Sequence, residues 1–146
     1  MFSRLATIPT CYDGIVVSAP EPKLARADQL SQNGMDLLYA EDARGAAQAF
    51  RDAIAADPGH IEARHGLIRA LGDAAEFEAA VNAARELTSI SSDDPLAFAS
   101  LSIALQKTGR IPEAEAAAGR ARILEWKQQL AKPQIESDSK EGDEHG

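Results

Sequence analysis

Few side chains in this chain could do chemistry on their own. The histidines stand at 60, 65 and 145, and the only cysteine is Cys11. A metal site or a hydrolytic centre needs such groups three or four residues apart on one helical face, or gathered with carboxylates. His60 and His65 are five apart across an expected helix start, and no cysteine or clustered carboxylate completes a site. Cys11 has no histidine close in sequence to act as its base. No glycine-rich loop follows a strand, so nothing resembles a phosphate cradle. The reading is of no catalytic residues, no metal, no cofactor and no enzyme. What remains is a scattered set able to make directional or apolar contacts: Gln32, Met35, Tyr39, His65, Arg69, Ile103, Gln106 and Lys107. Their use depends on the elements that carry them.

Those elements must be helices. The 146 residues suit one domain, 45% of them are hydrophobic and only 5% aromatic, a balance that favours closely packed helices over a sheet sandwich. A net charge of −8 opposes binding to nucleic acid or an anionic membrane, which needs clustered Lys and Arg. No apolar run approaches the roughly 18 residues a membrane helix requires. Residues 1–22 make a poor secretory leader, being broken by Pro9, Tyr12 and Asp13, and Ile8-Pro9-Thr10 ahead of Cys11 is unlike a lipoprotein cleavage box. A lone cysteine cannot form an internal disulfide, so a cytoplasmic location is expected, and the Ala-rich, Arg-containing composition suits a bacterial source.

One pattern returns every 34 positions between Ala27 and Gln128. Ala46, Ala80 and Ala114 mark one phase, Leu37, Leu71 and Leu105 a second, and Ala53, Leu87 and Ala121 a third. A period of this length signals stacked repeats. Apolar spacing predicts helices over Ala27–Ala40 and Ala43–Ala56, with Glu41-Asp42 between them, and Asp57-Pro58-Gly59 as a stop. The next pair is expected at Ile61–Leu71 and Glu76–Ile90 with Gly72-Asp73 in the turn, and the third at Pro95–Lys107 and from Ile111 onward. Asp94-Pro95 reads as a capped helix start. Ile123, Leu124, Trp126 and Leu130 carry the last helix on to about Ala131, and this extension is expected to cap the stack, with Trp126 and Leu130 packed on it. Outside the repeats, residues 1–26 read as an extended arm with strand character at Gly14-Ile15-Val16-Val17, and residues 132–146 as a disordered acidic tail.

These residues resemble the tetratricopeptide repeat family, whose 34-residue unit is a pair of antiparallel helices. The likeness covers 27–60, 61–94 and 95–128, with Gly34, Leu37, Ala46, Phe50, Ala53 and Pro58 on the family's preferred places in the first repeat, and Phe98, Leu101, Leu105, Gly109, Ile111, Ala114 and Ala121 in the third. The second repeat departs from the pattern, having Arg64 where a large apolar residue is usual, Ile68 for Gly or Ala, and Ala84 for an aromatic. The resemblance implies an all-α fold: a right-handed α-solenoid of three helix-turn-helix repeats whose concave wall is built from the first helix of each pair.

On that wall the spacing places Ser31, Gln32, Met35, Leu38 and Tyr39, then Glu62, His65, Gly66 and Arg69, then Leu96, Ala99, Ser100, Ile103, Gln106 and Lys107. Apolar places beside a few cations suit a peptide with apolar anchors and an acidic group near Arg69. One subgroup of the family grips acidic chaperone tails with Lys, Arg and Asn. The matching places here hold Ser31, Met35, Gly66, Leu96 and Ser100, so chaperone C-terminal tails are not expected. The function expected is a non-catalytic adaptor holding a protein or peptide partner. The alternative is a self-assembling scaffold subunit, a homo-oligomer in which the Ala27–Ala40 face packs on the Trp126 end of the next copy.

Overall fold

Small residues at fixed phase allow helices to approach closely, and six of them do so in a computed structural model that describes residues 22–132. They are α1 (Pro22–Tyr39), α2 (Ala43–Ala56), α3 (Ile61–Asp73), α4 (Phe77–Ile90), α5 (Pro95–Lys107) and α6 (Ile111–Ala131). Each packs on the next, and the first helices of neighbouring pairs also touch, α1 on α3 and α3 on α5. No strand occurs among the described residues. The architecture is an all-α helical-repeat solenoid. The three phases of the repeat form its core: Ala46, Ala80, Ala114, Ala53, Leu87, Ala121, Leu71 and Leu105 are buried, and Leu37 packs against them half-buried.

The repeat is also written in the backbone. Glu41, Ala75 and Gly109, each 34 residues from the next, hold φ of 63°, 61° and 82° in the turn between the two helices of a pair. This moves the second turn from the expected Gly72-Asp73, which remain helical, to Ala74-Ala75. The left-handed conformation costs a side-chain-bearing residue about 1 kcal/mol or more, and the cost falls on Glu41 and Ala75 while Gly109 escapes it. Ala75→Gly is therefore expected to raise stability by about 0.5 kcal/mol, because glycine's extra unfolded-state freedom offsets part of the gain. Gly109→Ala should lower it by about 1 kcal/mol, since an added Cβ there meets nothing and only strain acts. Paired urea titrations of the two variants check both signs.

Helix α1 begins at Pro22, so residues 22–26 belong to the first helix and not to the arm. Proline fits a first turn, where its missing N–H has no helical partner to lose. The rest of the arm, with Cys11 and the 14–17 segment, and the tail beyond Lys132 lie outside the described residues.

The departures of the second repeat have physical roles. Arg64 is buried, donates from Nε to the Pro58 carbonyl at 2.9 Å, and places Nη1 3.2 Å from Glu86, tying the α2–α3 loop to α4. Ile68 and Ala84 are both buried at the places held by Gly34 and Phe50 one repeat earlier. Large against small in one repeat becomes small against large in the other.

Candidate functional site

Helical periodicity puts residues four apart on one face, and that spacing builds the surface along the first helices. Ser31 and Met35 on α1, His65 and Arg69 on α3, and Ile103 and Lys107 on α5 are such pairs. They border two adjoining clefts. The larger, about 600 Å³, is lined only by α1, α3 and α5: Ser31, Met35, Glu62, His65, Gly66, Arg69, Leu96 and Ser100. The smaller, about 430 Å³, lies between α3, α4 and α5, and includes Arg69, Asp73, Phe77, Ile103 and Lys107. His65, Arg69 and Ser100 border both.

The cations differ in how they are held. Arg64, Arg85 and Arg110 pair with Glu86, Glu113 and Glu78. Arg69 is exposed and, among the described residues, forms no ion pair or side-chain hydrogen bond. Lys107 Nζ stands 5.8 Å from the centre of the Phe77 ring, a contact of about 0.5–1 kcal/mol that leaves its ammonium open to solvent. An exposed cation in clefts that also present Met35, Leu96 and Ile103 suits a carboxylate carried on a ligand with apolar anchors.

His65 is partly committed elsewhere. Its Nε2 lies 2.8 Å from one oxygen of Asp94, whose other oxygen accepts from Leu96 N–H at 3.0 Å as the cap of α5. One carboxylate thus starts α5 and fixes α5 against α3. Asp94→Ala should lower stability by about 1–2 kcal/mol. Asp94→Asn, which keeps an acceptor for the cap, should lose less than half as much, read from denaturant midpoints at unchanged m-value. A similar tie joins α1 to α3, where His60 accepts from Ala63 N–H through Nδ1 and meets Asp28 through Nε2 at 2.8 Å.

The residues expected on this wall therefore divide. Met35, His65 and Arg69 line the larger cleft, and His65, Arg69, Ile103 and Lys107 the smaller. Tyr39, 75% exposed at the end of α1, lines neither. Gln32 bonds to Asp36 on the surface of α1, and Gln106 is exposed on α5 outside both clefts. Sequence spacing missed Phe77 and Asp73, which reach the smaller cleft from α4 and the end of α3. Only the α4 register set by the Ala75 turn, one residue later than expected, could have shown Phe77 there. Among the described residues, no group of three His, Cys, Asp or Glu is placed to hold a metal ion. None of the described helices is long and apolar enough to cross a membrane.

Residues 37–101 match the tetratricopeptide repeat family model. No curated protein matches the chain. Among solved structures, MamA superposes with a TM-score of 0.69 at 21% identity, over 73% of this chain and 63% of its own. The second tetratricopeptide repeat domain of Spaghetti (RPAP3), bound to the HSP90 peptide SRMEEVD, gives 0.66 at 18% identity, over 69% of this chain and 94% of that one. SycD, the type III secretion translocator chaperone of Yersinia enterocolitica, gives 0.66 at 17% identity, over 80% and 86%. At these identities the likeness is one of fold.

Proposed function

We propose that this chain of tetratricopeptide repeats is a non-catalytic adaptor that holds an extended or helical segment of another protein across α1, α3 and α5. Apolar anchors of the ligand would fill the spaces beside Met35, Leu96 and Ile103, and an acidic group would meet Arg69. The observation that carries this reading is Arg69 itself, an exposed cation with no ion-pair partner among the described residues, placed where the two clefts join. The Spaghetti domain, solved with an acidic peptide, supports the general mode. Its ligand class is not carried over, because Ser31, Met35, Gly66, Leu96 and Ser100 stand where a chaperone-tail clamp needs cations and amides. A cytoplasmic setting, proposed from the lone cysteine, goes with this role.

Display of random peptides on the purified chain, with counter-selection on an Arg69→Glu variant, tests the proposal. Enrichment of sequences pairing an acidic residue with two apolar ones is expected. Enrichment that survives counter-selection unchanged would place binding elsewhere.

A further inference from the structure

Helix α6 is apolar on two opposite sides. Ala114, Ala117, Ala121 and Leu124 are buried against the body, and Gln128 on the same side reaches back to the Asp93 carbonyl at 3.3 Å. On the far side Ala116, Gly119, Ile123, Trp126 and Leu130 follow one another at alternating steps of three and four residues, the spacing of a helix-pairing seam. Ile123, Trp126 and Leu130 are 46%, 62% and 64% exposed, so the extension does not lay Trp126 and Leu130 on the stack as expected. The helix runs 21 residues against 14 in α2 and α4, which lengthens this seam.

Among the second helices of the three pairs, the seam is peculiar to α6. The places of Ala116, Gly119 and Ile123 are held in α2 by exposed Gln48, Arg51 and Ala55, and in α4 by exposed Asn82, Arg85 and Ser89. Conversely, where α2 has Ala47 and Ile54 in or against the core, α6 has exposed Glu115 and Arg122. A head-to-tail stack on α6 would bury those charges. Gly119 adds a separate clue: a Cβ built there meets only Arg122 Nη2, at 3.9 Å, so nothing among the described residues requires glycine in the middle of the helix. A second helix approaching closely would require it.

We propose that this seam is a two-fold interface in which α6 packs antiparallel on α6 of a second copy, centred on Ile123. Turned end for end about that residue, the seam sets Ala116 opposite Leu130 and Gly119 opposite Trp126. Each bulky group meets a small one. A surface complementary to itself in this way closes on a dimer. Head-on parallel pairing would stack Trp126 on Trp126 and leave a void at Gly119.

Sedimentation velocity on the full chain across a wide concentration series tests this, with Gly119→Leu and Trp126→Glu beside the wild type. Leucine suits an open helical site, so Gly119→Leu keeps the fold, to be confirmed by unchanged circular dichroism. Wild type is expected to pass from monomer to dimer, and each variant to weaken that dimer at least tenfold. In a Cys11→Ser background, Ile123→Cys should oxidise to a covalent dimer, and Ala55→Cys, at the matching place on α2, should not. A wild type that stays monomeric throughout, or a dimer that neither substitution weakens, overturns the proposal.

Discussion

Gly66→Ala is expected to destabilise the protein by about 3 kcal/mol, far more than one methyl group on a surface helix would. Phe50 on α2 is completely buried, and its ring lies against Gly34 of α1 and Gly66 of α3. A Cβ on Gly34 would stand 2.7 Å from that ring, and one on Gly66 closer still. The ring has no flexible end to swing aside, so either helix must move away and open the first repeat against the second. For a domain of this size the loss corresponds to roughly 10 °C in Tm. Phe50→Leu alone should cost about 1–2 kcal/mol, and the double variant Gly66→Ala with Phe50→Leu should be markedly more stable than the sum predicts, because the smaller side chain makes room. Thermal melts of the four proteins in this cycle give the coupling directly. A loss below 1 kcal/mol for Gly66→Ala would mean that the α2–α3 contact is looser than the structure shows.

The second large effect concerns binding. Arg69→Glu replaces the open cation at the junction of the clefts with an anion, and Ile103→Asp places a charge on the apolar wall opposite. For a peptide selected on the wild type, each change should weaken binding by about 2–3 kcal/mol, or roughly 30- to 150-fold. Both residues are exposed and neither belongs to the core, so melting temperature and helical content should stay within error of wild type. Tyr39→Ala, outside both clefts, should change affinity by less than 0.5 kcal/mol on the same scale. Fluorescence anisotropy with labelled peptide separates the three. Equal effects from Tyr39 and Arg69 would shift the contact surface toward the end of α1.

Much of the fold was legible because the repeat imposes the same packing three times. Ala46, Ala80 and Ala114 need no tertiary information to be recognised, since only small residues allow the crossings they occupy. The second turn was misplaced for a definite reason. Gly72 attracts a turn assignment by type, but the repeat puts the left-handed residue 34 positions after Glu41, where an alanine stands. Counting from Glu41 or back from Gly109 would have found it. Arg64 could not be understood from sequence, because its partners Pro58 and Glu86 come from another loop and another helix. Gly66 looked like an open place on the wall, but it also receives Phe50 from behind.

The clefts proposed as the site were legible to the extent that they follow helical spacing. Met35, His65, Arg69, Ile103 and Lys107 reach the clefts because four-residue steps hold a face. Gln32, Tyr39 and Gln106 do not, because a helix face is narrower than the arc assigned to it and Tyr39 lies at the very end of α1. Trp126 was misread because the body ends before the helix does, which only the lengths of neighbouring helices reveal.

In the proposed function the face shared by α1, α3 and α5 holds the ligand. Amide chemical-shift mapping of the full chain during titration with a selected peptide tests it most directly. The largest shifts are expected around Met35, His65, Arg69 and Ser100, with the outward faces of α2 and α4 unchanged. Shifts confined to α2, α4 or the outer side of α6, with the four central residues unmoved, would contradict it.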